Sequence, residues 1–149
     1  MKIACIADIH GNHEALSAVL DHLSDSVEII LFLGDVCGYY PYVEECLTLL
    51  NKMSVLGVRG NHDQILIDCI VENSMPSAGY DLNYGSALRR SLVDLSQSSK
   101  DWLCSLPETL TQEIYGIKIM MCHGTPWDPL QGRVYPDFKD WELFEGMEE

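Results

Sequence analysis

Residues 2–13 read KIACIADIHGNH, a short β-rich apolar run that passes straight into Asp8, His10, Asn12 and His13. Asp8 and His10 are two positions apart, and on an extended chain that spacing puts both side chains on one side of the backbone. They can therefore point at one object. The same event recurs downstream. VEIILFLGD (27–35) ends in Asp35, SVLGVRGNHD (54–63) ends in Asn61, His62 and Asp63, and IKIMMCHG (117–124) ends in His123.

Helical patterns separate these runs. Ala15, Leu16, Val19, Leu20 and Leu23 recur at helical spacing after an N-cap at Asn12, and a helix opening near Pro41 carries Val43, Cys46, Leu47 and Leu50. Helical periodicity dominates from Asp63 to Leu106, with Tyr84, Leu88, Leu92 and Leu95 as one apolar stripe. SSKDWLCSLP (98–107) reads as a short capped helix stopped by Pro107, and ETLTQEIY and IKIMMC alternate around Tyr115 and Gly116 as a hairpin. Strands alternating with helices of this length predict an α/β fold, a parallel sheet with helices packed on it. In such sheets the carboxyl ends of the strands gather at one edge, where ligands bind, so four strands are expected to deliver polar residues to one rim.

The bulk properties narrow the field. The 149 residues are expected to form a single domain, 1–149, with no repeat or Pro/Gly-rich linker to divide it. A net charge of −14, from 23 acidic against 9 basic side chains, argues against a nucleic-acid polymer or an anionic membrane as partner, because both are held by Lys and Arg. The apolar runs are too short to cross a bilayer and no signal peptide stands at the start, which predicts a cytoplasmic protein. Six scattered cysteines without a C-x-x-C pair are then reduced thiols rather than a disulfide framework.

The residue types select the chemistry. Asp, His and Asn offer oxygen and nitrogen donors that suit first-row divalent metals. Asp35 could bridge two ions if Asp8 and His10 served the first and Asn61 and His123 the second. Two ions about 3.5–4 Å apart clamp a phosphate and lower the pKa of a shared water, giving hydroxide near neutral pH. His62, with Asp63 beside it, is the candidate catalytic pair, His62 protonating the departing oxygen as general acid. Asn12, at the start of the first helix, and Arg59 are candidate substrate-binding residues for a phosphate, a salt bridge being the other use for Arg59. Gly34 and Gly60 let the backbone turn close to the ligands.

Other polar residues have plainer readings. His22 is expected to be solvated and His13 to be an exposed helix-start histidine, while Cys37 and Cys122 are core thiols and only the second choice as metal donors. Trp102, Trp127 and Trp141 are expected to pack rather than stack on a ligand.

With Asp8-Ile9-His10, Gly34-Asp35, Gly60-Asn61-His62-Asp63 and Cys122-His123-Gly124 in that order, the sequence resembles the calcineurin-like metallophosphoesterases. It looks most like a bacterial and archaeal branch of them, with LGDVCGYYP, WLCSLP and HGTPWDPL also in keeping. The resemblance implies an α/β/β/α sandwich around two divalent ions, usually manganese, iron, zinc or nickel. It implies that Asp8 and His10 bind the first ion, Asp35 bridges, Asn61 and His123 bind the second, and His62 assists the leaving group. A small phosphate mono- or diester, nucleotides among them, is the implied substrate class.

One element of the family pattern is missing. Members continue into a strand ending in Gly-His-Thr-His, whose histidines complete both metal shells, whereas this sequence stops at FEGMEE, where that strand would begin. The expectation is a sandwich truncated on its C-terminal side, with an uncovered sheet edge able to pair with a second copy or a separate C-terminal piece. Two alternatives stand beside the enzyme: a non-catalytic scaffold on the same fold, and a fragment active only with its missing part.

Overall fold

The computed structural model describes residues 2–23 and 27–145. A parallel sheet has the order β1-β2-β3, with β1 at Ile3–Ile6, β2 at Ile29–Phe32 and β3 at Leu56–Gly57. Ile3 pairs with Ile29 and Ile6 with Phe32, while Leu31 pairs with Leu56. The crossovers are helical: α1 (His13–Leu23) joins β1 to β2, and α2 (Val43–Lys52) joins β2 to β3. Four more helices follow, α3 (Asn61–Val71), α4 (Ala78–Tyr84), α5 (Ala87–Asp94) and α6 (Gln97–Ser105). Then β4 (Thr109–Ile114) and β5 (Ile117–Cys122) form an antiparallel hairpin of their own, in register from Thr109–Cys122 to Ile114–Ile117.

The period of two along β2 separates two cores. Ile30 and Phe32 face the helices, where Leu16, Leu20, Leu47, Leu50, Leu66, Leu88 and Leu103 pack. Ile29, Leu31 and Leu33 face the hairpin and meet Ile114, Ile119 and Met121. The result is a layer of helices, a parallel sheet and a second sheet packed on its other face. Outside the hairpin, the described residues add one 3₁₀ turn, Trp141–Phe144, whose Trp141 and Phe144 rings join Trp127 and Phe138 in an aromatic cluster.

Two expectations change. The fourth ligand-bearing strand, β5, belongs to the second sheet rather than to the parallel one. The apolar stripe through Tyr84 and Leu95 is interrupted at Gly85, whose φ of +78° ends α4 and starts a new helix axis. Among the described residues β1 lies at the edge of its sheet, with Cys5 and Ala7 exposed, and all six cysteines are free. No helix among them is long and apolar enough to cross a membrane.

Candidate metal centre

Three loops leave the carboxyl ends of β1, β2 and β3 and are laced together by their backbones. The Asp8 amide donates to the Gly34 carbonyl at 3.0 Å, and the His10 amide to the Asp35 carbonyl at 2.9 Å. Asp8, His10 and Asp35 all hold positive φ, of 54°, 50° and 61°. Left-handed backbone costs a non-glycine residue of order 1–3 kcal/mol and persists only where its surroundings over-determine it. Here three of the candidate ligands, Asp8, His10 and Asp35, carry that cost, as residues of functional rims often do.

The side chains converge. Asp8, His10 and Asp35 each present a ligand atom, all within 4.8 Å of one another. His10 Nε2 is 3.6 Å from Asp8 Oδ1 and 3.9 Å from Asp35 Oδ2. From the other side, His123 Nε2 is 3.4 Å from the same Asp35 Oδ2 and 3.1 Å from Asn61 Oδ1. One buried carboxylate oxygen thus faces two imidazole nitrogens that arrive from different sheets. All five residues read from the sequence as metal ligands are brought together.

Each imidazole is held from behind. His10 Nδ1 donates to the Cys37 carbonyl at 2.7 Å and His123 Nδ1 to the Leu33 carbonyl at 2.8 Å. A carbonyl only accepts, so Nδ1 carries the hydrogen in both rings and Nε2 is the atom that could meet a cation. Glycines make room for this. A Cβ on Gly38 would collide with His10 Nδ1, and a Cβ on Gly60 would collide with the Asp35 carboxylate.

Charge is tuned to match. Burial alone would raise the Asp35 carboxyl, but the hydrogen bond and charge of His123 and the His62 amide outweigh it, holding Asp35 below its ordinary value. The hydrogen bond to Asp35, working against burial, pushes His123 up to about 9. A cation held by His123 would have to compete with its Nε2 proton. Oxygen and nitrogen donors sharing one carboxylate suit divalent first-row metals, and these residues fit such ions.

Three candidate roles meet a different geometry, and one core thiol is where it was expected. Asp63 is fully buried, and its oxygens accept from the amides of Asp35 (2.7 Å), Cys37 (3.0 Å) and Gly60 (3.0 Å). It braces the ligand loop from beneath instead of meeting a substrate. Burial and the Asp35 charge raise its pKa, against the opposing pull of those amides. Arg59 is engaged by the Leu106 carbonyl at 3.2 Å and by Glu108 at 2.8 Å, the salt-bridge use rather than a phosphate contact. Asn12 Oδ1 accepts from the Ala15 amide at 3.1 Å, capping α1. The Cys37 thiol is sealed, and burial followed by the Asp63 charge drives its pKa well up, so Cys37 contributes backbone rather than a sulfur ligand.

His62, 6% exposed, stands beside the cluster with its ring centroid 5.0 Å from that of His10. Burial lowers its pKa. Tyr39 flanks it tilted at 5.6 Å and Tyr84 edgewise at 5.0 Å. Its Nδ1 meets the Tyr80 hydroxyl at 2.5 Å, a partner no spacing in the sequence announces, because Tyr80 comes from a separate short helix.

An acid, amide and imidazole donor set at the carboxyl rim of a two-sheet α/β fold is a candidate site for divalent metal. Comparison with known proteins agrees: the calcineurin-like phosphoesterase superfamily domain matches residues 1–141, and the chain belongs to that family. It is 33% identical over 141 residues to an uncharacterized protein of Methanocaldococcus jannaschii, covering 93% of this chain and 56% of that one. It resembles the crystal structure of a metallophosphoesterase from Sphaerobacter thermophilus with a TM-score of 0.70 and 30% identity, over 91% of this chain and 51% of the other. A second crystal structure, of a hypothetical protein from Pyrococcus horikoshii, gives a TM-score of 0.71 and 26% identity over 92% and 60%. The fold is therefore of the metallophosphoesterase type, and the chain spans between half and two thirds of the length of these relatives.

Proposed function

We propose that the chain carries the catalytic face of a metal-dependent phosphoesterase acting on a small phosphate mono- or diester, nucleotides among them. The observation that supports this best is Asp35 Oδ2, set between His10 Nε2 at 3.9 Å and His123 Nε2 at 3.4 Å. Asp8, His10 and Asp35 would hold one divalent ion, and Asp35, Asn61 and His123 a second, each of manganese, iron, zinc or nickel. Such ions supply hydroxide near neutral pH and positive charge for the phosphate oxygens.

The chain's own residues do the remainder. His10 and His123 keep their Nδ1 hydrogens on backbone carbonyls and so hold Nε2 toward the ions. Asp63 fixes the backbone from which Asp35 projects. His62, with Nδ1 taken by Tyr80, has Nε2 left to deliver a proton to the departing oxygen. The surplus of acidic side chains disfavours polynucleotides and anionic membrane, which leaves small esters as substrates. A cytoplasmic setting, and pairing through the edge of β1 with a second copy, belong to the same reading.

The test is hydrolysis of a chromogenic phosphate ester by folded protein with and without Mn²⁺. Turnover that needs the ion and is lost in Asp35→Asn supports the proposal. Well-folded protein inert with every divalent ion tried would contradict it, and would favour a binding scaffold on this fold.

A further inference from the structure

The three imidazoles at the site are sorted by what stands behind them. His10 and His123 back onto carbonyl oxygens, which can only accept. His62 backs onto a phenol, which can donate. We propose that Tyr80 is a positioning residue for His62, its hydroxyl donating to Nδ1 so that the neutral ring keeps its hydrogen on Nε2. The inference rests on the reading of His62 as general acid for its use, though not for its geometry.

Donor and acceptor accounting decides the direction of the bond. The Tyr80 hydroxyl is buried and, among the described residues, has His62 Nδ1, at 2.5 Å, as its hydrogen-bond partner. If Nδ1 carried the hydrogen, the phenolic O–H would be left buried without an acceptor, at a cost of about 1–3 kcal/mol. If the phenol donates, every polar atom of the pair is used. Burial raises the Tyr80 pKa, so its hydroxyl stays protonated and available as donor. His62 Nε2 has no partner among the described residues and is not sealed from solvent.

The neighbouring carboxylate cannot take over this task, because Asp63 is committed to three backbone amides. Tyr80 is itself fixed. It lies in the first turn of α4, its amide donating to Ser77 Oγ at 3.1 Å, and its ring contacts Tyr84 at 4.8 Å one turn on. The consequence is a division of labour by tautomer. Carbonyl-backed rings would offer a bare Nε2 to a cation, and the phenol-backed neutral ring would present its Nε2–H as a hydrogen-bond donor to a leaving-group oxygen.

Long-range ¹H–¹⁵N correlation of the imidazole nitrogens in the folded, metal-free full chain tests this without any turnover. At a pH where His62 is neutral, its Nε2 should be the protonated nitrogen and Nδ1 the bare one, and Tyr80→Phe should mix the two tautomers. A wild-type spectrum with the hydrogen on Nδ1 overturns the inference, whatever becomes of the variant's folding. A Tyr80→Phe spectrum unchanged from wild type also overturns it. Where the chain is active, Tyr80→Phe should lower kcat for phenyl phosphate by roughly 10- to 100-fold, part of the roughly 10²–10³ that one donor aimed at developing charge supplies. KM should hold, and the loss should shrink as the leaving group improves. An equal loss for every leaving group would mean a merely structural tyrosine. A wild-type chain that turns over nothing contradicts the proposed function, while the tautomer still decides this inference.

Discussion

Gly60 shows how narrowly the site is drawn at the scale of single residues. Its φ of −99° is open to any amino acid, yet a Cβ there would strike the Asp35 carboxylate and lie 2.6 Å from the Asp35 amide. Gly60→Ala should therefore fold with its stability lowered by about 1–3 kcal/mol, read in chemical denaturation. It should also bind Mn²⁺ more weakly by roughly 10–100-fold, the usual cost of disturbing a ligand's support, as read by calorimetric titration. Unaltered affinity would show that Asp35 is free to move. The ligands were legible in the sequence because each follows a β-rich run, and strand ends of such sheets share a rim. Asp63 was misjudged because adjacency in sequence suggested a pair with His62. Both residues lie in the first turn of α3, where neighbours point about 100° apart, and Asp63 turns inward to the amides. Tyr80 was invisible, since 18 residues and a change of helix separate it from His62.

Among the elements, α1 starts at the rim of the site, one residue after Asn12. Asn12 was a candidate for both capping and substrate contact, and its hydrogen bond to the Ala15 amide assigns it to the cap. Asn12→Ala should lose about 1 kcal/mol of stability in chemical denaturation. KM for a phosphate ester should stay within about twofold of wild type, since a cap lost without a substrate contact leaves binding in place. A large rise in KM without loss of stability would restore the substrate role. The helical character of residues 63–106 and the capped helix in residues 98–107 could be read from apolar spacing and capping. The breaks between α3, α4 and α5 could not be placed by the apolar stripe alone, because Leu88 and Leu95 keep helical phase across residues whose upstream neighbour, Tyr84, belongs to a different axis. Gly85 carried the signal of that break, and its positive φ is the physical reason.

Across the whole molecule, the second sheet was the hardest feature to see. IKIMMC alternates like any half-buried strand, and nothing local says whether it joins the parallel sheet or packs against it. Its partner is β4, two residues away across Tyr115 and Gly116, and the apolar faces of both sheets meet at Leu31 and Val58. That packing carries His123 to the far side of Asp35, so the site depends on both sheets staying docked. The pH dependence of stability should report this. In the metal-free chain His123 has a folded pKa of about 9 against an ordinary 6.5. Its contribution is complete below pH 6.5 and drains away as pH climbs through 9. Burial depresses His62 and works in the opposite sense, so the quantity to read is the difference in melting temperature between wild type and His123→Gln. That difference should be flat below pH 6.5 and shrink through pH 9. Mn²⁺ affinity should rise over the same interval, because the ion competes with the His123 proton.

The direct measurement is anomalous X-ray diffraction from crystals of the chain soaked in Mn²⁺. Two peaks flanking the Asp35 carboxylate are expected, one beside Asp8 and His10 and the other beside Asn61 and His123, both vanishing in Asp35→Ala. Manganese bound elsewhere, or both peaks surviving that substitution, would contradict the shared-carboxylate account.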